Sequence, residues 1–363
     1  MTNAVIIAQQ GSNNTTFRNR IINGAMVIDQ RNAGASVTVN SSANTFGVDR
    51  WYGYGQPTDG VFTIQQSTDT PTTGFINSTK LTVTTADSSI GATQIYRFTQ
   101  SIEGLNCADL SFGSASAATV TLSFWVKSSL TGTFGGNLAN SGFSRAYPFT
   151  FTINAANTWE QKSISIAGDT TGTWLTTNGI GISISFVLGM GSTYVGTANA
   201  WNAGLYFGPT GGTNIIATNA ATFYITGVQL EAGSTASPFE NRSYGVELQL
   251  CQRYYQKSYN QSSAPGAATP IGMISLIVNG TAGTNYCQFT FPVPMRTAAT
   301  ISIWDGAGNS GKCSKYQAGA WTNNLGTIAA ANIGESGYSI SFDGTPFTTG
   351  IPHGTHYAAS AEL

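Results

Sequence analysis

The residues with the most reactive chemistry are few. His353 and His356 stand three apart in IPHGTHYAAS, a spacing that offers a zinc ion two imidazoles but no third ligand nearby, in a context that suits a loop better than a helix. They are expected to form an exposed, unliganded pair. The sharper alternative is an ion site on a trimer axis, to which each copy would bring both imidazoles. The carboxylates Asp29, Asp49, Asp59, Glu103, Asp109, Glu160 and Glu231 are scattered, and no motif brings two of them to one place for glycoside hydrolysis. No G-x-S-x-G elbow and no phosphate loop stands out. Cys107, Cys251, Cys287 and Cys313 lack metal-ligand spacing. They are expected as reduced, mostly buried thiols, with a Cys287–Cys313 disulfide as the geometric alternative. The expectation is a protein that is not an enzyme and takes no cofactor or metal.

Binding chemistry is better represented. In VTLSFWVK, Val120, Leu122, Phe124 and Val126 alternate with Thr121, Ser123, Trp125 and Lys127, so a half-buried strand sets Trp125 beside Lys127 on the face away from the core. In VDRWYGYG, alternation sets Trp51 against Tyr52 and Tyr54, one set for the core and the other accessible. Arg50 in that run is expected to be buried and paired with Asp49 or Asp29. Tyr194, Trp201 and Tyr206 lie in a Gly-, Ser- and Asn-rich stretch, where rings give rigid amphipathic area and small polar residues give adaptable hydrogen bonds. The candidate ligand surface is therefore Tyr52, Tyr54, Trp125, Lys127, Tyr194, Trp201 and Tyr206.

Strands must position these residues. Charged residues make up 9% of the 363-residue chain while 41% is hydrophobic and 11% aromatic, against about 25% charged in an ordinary domain. That is enough apolar matter for a core, not the makeup of a disordered chain. Phe149–Phe151–Ile153 and Ile180–Ile182–Ile184–Phe186–Leu188 repeat the alternation of period two, and no helical pattern separates them, which argues for stacked sheets over a parallel α/β fold. Residues 130–145, 168–179 and 189–214 read as long Gly-rich loops. Thr222 to Leu230 is a strand whose alternation slips at Gly227, the signature of a bulge. A helix is expected to open at Ser243 and to turn Val246, Leu250 and Tyr254 inward. Residues 273–278, 286–293, 300–304 and 338–342 read as later strands. The predicted fold is all-β: two jelly-roll-like β-sandwich domains joined by a short helix and linker. The segments are 1–16 for attachment, 17–242 for the first sandwich, 243–269 for helix and linker, and 270–363 for the second. No apolar run reaches the roughly 20 residues that span a bilayer, the start lacks a signal-peptide pattern, and a net charge of -1 gives no pull toward nucleic acid.

Several stretches also carry a resemblance. GVQLEAGSTASPFE from Gly227, YGVELQLCQRYY from Tyr244, FRNRIINGAMVIDQR from Phe17, VDRWYG from Val48 and TVTLSFWVKSSLTGTFGG from Thr119 resemble a family of bacteriophage tail-fibre and receptor-binding proteins. These share a sandwich related to carbohydrate-binding modules. The likeness runs from Phe17 to Tyr259, and FPVPMRTAAT from Phe291 resembles a segment of their C-terminal sandwiches. It implies a virion adhesin that is a homotrimer, attached to other virion proteins through its N-terminal segment and binding a host surface saccharide by many weak contacts. The alternative is a structural virion component, a head-decoration, collar or baseplate protein, that binds only other virion proteins.

Overall fold

The computed structural model describes residues 17–56, 59–71, 74–277, 285–342, 347 and 350–363; the attachment segment read at 1–16 lies outside them. The described chain is β apart from one nine-residue helix and short 3-10 turns. A six-stranded sheet runs in the order Val37–Val39, Val61–Ser67, Ser78–Thr85, Thr222–Ala232, Val120–Ser128, Glu160–Ile166. A seven-stranded sheet runs Asn202–Ala203, Arg145–Ile153, Gly132–Ala139, Ile180–Met190, Ile95–Glu103, Tyr52–Gln56, Thr45–Phe46. Val120, Leu122, Phe124 and Val126 from one sheet meet Ile182, Ile184, Phe186 and Leu188 from the other in a single buried core. Burial of each such side chain contributes about 1.5–3 kcal/mol over exposure, so the alternation itself fixes which face of each strand turns inward.

The slip read at Gly227 is a bulge, with the register against Val120–Ser128 jumping between Thr226 and Gln229. Gly227 has φ +62, and a Cβ there would stand 2.7 Å from the Phe75 ring, so the position takes only glycine.

Two of the three expected loops are corrected. Residues 130–145 hold the strand Gly132–Ala139, paired to both of its neighbours. Its glycines mask it, yet they are there for packing: a Cβ on Gly136 would sit 2.1 Å from the Ser185 carbonyl oxygen. Residues 189–214 contain the parallel pair Val195–Gly196 and Gly208–Pro209 as well as the edge strand Asn202–Ala203.

The helix, Tyr244–Gln252, follows Ser243 as expected, but Ser243 caps it with its backbone carbonyl only. Within it Glu247 and Cys251 are buried, Leu250 packs against the same cluster as Cys251 and Tyr254 is buried just beyond the helix end, both turned inward as expected, while Val246 is 48% exposed. The row i, i+4, i+7 that turns inward carries a carboxylate because the Asn23 backbone N–H and Arg242 donate to Glu247. Cys251 and Tyr254 pack against Ile22 and Ile28, with Leu363 at the margin.

In the second sandwich, Pro352–Ser360 pairs with Tyr255–Lys257, Ile274–Ile277, Thr300–Trp304 and Cys313–Gln317, the last of these continuing to Ala320–Leu325. A three-stranded sheet, Asn285–Thr290, Gly337–Phe342, Ile328–Ala331, lies across it. Phe291, Met295, Ile303, Tyr338, Ile340 and Tyr357 form the core. Tyr255–Lys257 belongs to this sheet although it falls in the stretch read as linker. All four cysteines are free thiols.

IPHGTHYAAS is thus a central strand and not an exposed loop, and both histidines are 0% exposed. The Nε2 of His356 donates to the Thr269 carbonyl and its Nδ1 accepts from Ser258 Oγ, each at 2.9 Å, which fixes one neutral tautomer. Burial lowers both pKa values below the ordinary 6.5, against hydrogen bonds to the backbone carbonyls of Ile351 and Thr269 that raise them. A depressed folded pKa means that the unfolded state binds more protons just below pH 6.5, so the stability these groups contribute is complete above that value and lost as pH falls. The expected result is a thermal midpoint that drops on acidification through 6.5 and a flatter profile for a His353→Phe, His356→Gln double variant. An unchanged slope in the double variant would assign the drop to other groups.

Charge closes the junction between the sandwiches. Arg50 pairs with neither Asp49 nor Asp29 as expected; its guanidinium meets Glu362, donates to the Ser101 carbonyl and lies 3.6 Å from the centroid of Tyr254. Arg31 donates to the same Glu362 at 3.0 Å and lies 3.7 Å from the centroid of Tyr255. Arg253 grips Glu103 through two hydrogen bonds, and Tyr254 Oη donates to it at 2.6 Å. Burial opposes ionisation of Glu103, but these donors win and hold its carboxyl below the ordinary 4.5.

Candidate functional site

The outward face of the seven-stranded sheet is ordered in rows by its register. One row is Tyr54, Arg97 and Val187. The next is Tyr52, Thr99, Ser185, Asn137 and Pro148. Such aligned residues on adjacent strands stand side by side. Over them fold the turn carrying Phe143 and the stretch carrying Tyr194, Tyr206 and Phe207. The Arg97 guanidinium ends 4.8 Å from the centroid of Tyr54, 4.9 Å from that of Phe207, 5.8 Å from Tyr52 and 5.9 Å from Phe143. Phe207 meets Tyr194 at 5.5 Å and Phe143 at 5.7 Å. Ile95 and Val187 complete the apolar floor.

Arg97 is 7% exposed. Its Nη1 donates to Thr99 Oγ1 at 3.0 Å and to Ser185 Oγ at 3.4 Å, while its Nε is buried without an acceptor. Two more atoms on this face, Asn137 Oδ1 and Ser183 Oγ, are buried without a partner. Desolvated donors and acceptors left unpaired cost about 1–3 kcal/mol each, so the face holds unspent hydrogen-bonding capacity beside half-exposed Tyr54, Phe143 and Tyr194. Met190, at the rim, also lines an open cleft of about 410 Å³ whose polar groups come from Ser88, Ser89, Ser192 and Asn214. Rings that continue into hydroxyls and an amide suit a ligand with apolar faces and polar edges.

The expected site residues divide among three places. Tyr52, Tyr54, Tyr194 and Tyr206 come together on this face, although Tyr52 is buried at 5% exposure and Tyr206 acts mainly through its carbonyl, which accepts from Asn137 Nδ2 at 2.8 Å. Trp125 and Lys127 lie on the other sheet. Lys127 is not the free cation its outward position suggested: it is 8% exposed, paired with Asp69 and set 4.2 Å from the centroid of Tyr224 and 5.3 Å from that of Trp159. Trp125 is half-buried. Other segments lie along that face, since Thr121 Oγ1 donates to the Gly233 carbonyl and Trp159 Nε1 donates to Asp69. Trp201 sits at a third place, edge-on to Tyr147 at 5.3 Å and to Trp174 at 5.4 Å, with its Nε1 donating to the Ala167 carbonyl at 2.7 Å. It anchors its own stretch. A further recess of about 240 Å³, between Phe75, Phe239 and Tyr244, has its charges already matched, because Arg242 pairs with Glu240 and Glu247.

Arg97 was missed from sequence. IYRFTQSIE places Arg97, Thr99, Ser101 and Glu103 on one face by alternation, but nothing local says that Tyr54 stands opposite or that distant rings close over it. An arginine in the polar row of an otherwise apolar strand is the signal that was available.

No family model matches the chain, and no curated protein matches it. Among solved structures, the chain is similar to the enzymatically active domain of tailspike protein 4 of bacteriophage CBA120, at 15% identity and a TM-score of 0.31, covering 60% of this chain and 22% of that one. It is similar to the family 11 carbohydrate-binding module of Clostridium thermocellum in complex with a mixed-linked tetrasaccharide, at 13% identity and a TM-score of 0.29, covering 55% of this chain and 98% of the module. The N-terminal cellulose-binding domain of a Cellulomonas fimi glucanase is 14% identical, with a TM-score of 0.25, covering 51% of this chain and 90% of that domain.

Proposed function

We propose that the chain is a saccharide-binding protein, and that the outward face of its seven-stranded sheet around Arg97 is the binding surface. The observation that carries this is the ring set about a buried guanidinium with unspent polar atoms beside it. A sugar ring has an apolar face that stacks on an aromatic side chain and an edge of hydroxyls that both donate and accept, so it answers both features at once. Binding proceeds without turnover in this reading. Glu103, Asp169 and Glu231 are each engaged by arginine, and none of the three pairs with Arg97.

The finer reading is a bacteriophage virion adhesin on a homotrimeric fibre. Its support is the resemblance carried by GVQLEAGSTASPFE and its companion motifs; Arg242, between two of them, ties Glu240 at the end of the first to Glu247 in the first turn of the helix. Single sites of this shallow kind bind weakly, and several copies on one fibre raise retention by effective concentration.

The test is retention of labelled full-length protein on a printed glycan array and on host cells, compared with a Phe143→Ala, Tyr194→Ala variant. Both rings are half-exposed, so the fold should persist by circular dichroism while retention falls about tenfold, the scale of losing aromatic contacts worth roughly 0.5–1.5 kcal/mol apiece. Equal retention of the folded variant would remove this face from the proposal, and retention on no glycan would remove the proposal itself.

A further inference from the structure

We infer that the saccharide taken by this face is an acidic one, held by its carboxylate on the Nε–Nη2 edge of Arg97; this rests on the saccharide-binding reading above. The chain itself supplies the template. Arg145 donates from Nε and Nη2 to the two oxygens of Asp169 at 2.7 and 2.9 Å. Arg253 donates from the same two nitrogens to Glu103 at 2.9 and 2.6 Å. That edge is the planar fork that matches a carboxylate with two parallel hydrogen bonds.

In Arg97 the same edge is unused. Nη1 is spent on Thr99 and Ser185, Nε is buried without an acceptor, and Nη2 donates to no described residue. Among the described residues no carboxylate comes within the 4.0 Å of an ion pair. The nearest acid on its own strand in the same row is Glu103, about 20 Å along a strand that rises about 3.4 Å per residue, and Arg253 already holds it.

The surrounding rings attract the cation through their faces, yet they are neutral and cannot balance its charge. A buried charge without a counter-charge is costly. A neutral sugar would satisfy the N–H groups and leave the charge standing, whereas a uronate or sialate carboxylate answers both. The hydroxyls of Thr99 and Ser185, themselves bonded at 3.0 Å, fix the guanidinium from the opposite side, so the fork is held in place before a ligand arrives.

The deciding experiment presents the full chain with an array of uronate- and sialate-bearing oligosaccharides, each printed beside its carboxyl-reduced form and beside sulfated and neutral glycans. The expected result is retention on the carboxylated members that falls about ten- to a hundredfold on reduction, the scale of a charge-assisted bidentate pair, with the same loss for Arg97→Gln. Carboxyl reduction needs no variant, so it decides the matter even where Arg97→Gln does not fold. Equal retention on neutral members would overturn the inference and leave saccharide binding standing. Equal retention on sulfated members would overturn carboxylate selection in favour of negative charge alone. No retention anywhere would sink the saccharide reading, and this inference with it.

Discussion

Replacing Glu362 with alanine is expected to destabilise the chain by about 3–5 kcal/mol, the cost of stripping a buried ion of its partner. Arg50 is 2% exposed and Glu362 is its carboxylate; Arg31 shares that carboxylate, but also has Asp49 at 3.8 Å. Burial already pushes the Arg50 guanidinium toward losing its proton, with Tyr254, Cys251 and Glu103 acting against that push. Once Glu362 is gone, the remaining hydrogen bond to Ser101 and the Tyr254 ring leave the charge uncompensated. Urea unfolding of Glu362→Ala, Arg50→Met and the double variant should show strong coupling, the double costing less than the two singles together. A loss under about 1 kcal/mol for Glu362→Ala would place this pair with ordinary surface ion pairs.

Phe186→Ala should cost a comparable amount, about 3–5 kcal/mol, by a different route. Phe186 is fully buried where the two sheets of the first sandwich meet, edge-on to Phe124 at 5.0 Å and Phe149 at 6.0 Å, with Trp51 at 6.3 Å. Trp51 is in turn tied to the Asn23 carbonyl through Nε1 at 3.2 Å and stacked on Phe98 at 5.0 Å, so it cannot slide into the space left behind. The cavity therefore stays open and its lining loses dispersion contacts. Phe186→Leu, which keeps most of the volume, should cost well under half as much. Similar losses for the two variants would mean that the site collapses, contrary to the packing described.

Much of this core is legible in the sequence because alternation is a strict rule where one face is buried. Val120 to Val126 and Ile182 to Leu188 declare their inward rows without help, and Gly227 marks its bulge because both the pattern and the residue type change at one position. What alternation does not say is whether the opposite face is bare. Lys127 and Tyr52 were assigned outward correctly and exposed incorrectly, since Asp69 and the rings of Tyr224 and Trp159 close over the lysine, and the register neighbours of Tyr52 lie on strands remote in sequence. Gly132 to Ala139 was lost among glycines, a composition shared by loops and by strands that other backbone approaches closely. His353 and His356 are expected in a loop because their spacing and context suit no helix, but neither feature carries information about depth in a sheet, and both are buried. The candidate surface was legible residue by residue at Tyr54 and Tyr194 but not as a site, because its centre, Arg97, acquires meaning only from rings brought in by other strands.

The pairing of Tyr255–Lys257 with Ala358–Ser360 has an architectural consequence. The strand that enters the second sandwich and the strand that leaves it are hydrogen-bonded neighbours, so the chain crosses into and out of that body at one spot, immediately before Glu362 and Leu363 turn back to the first. Lengthening, exchanging or reshaping the distal sheet leaves that crossing where it is. The outer module can diversify like a graft on a fixed stem, without disturbing the charge lock beneath it.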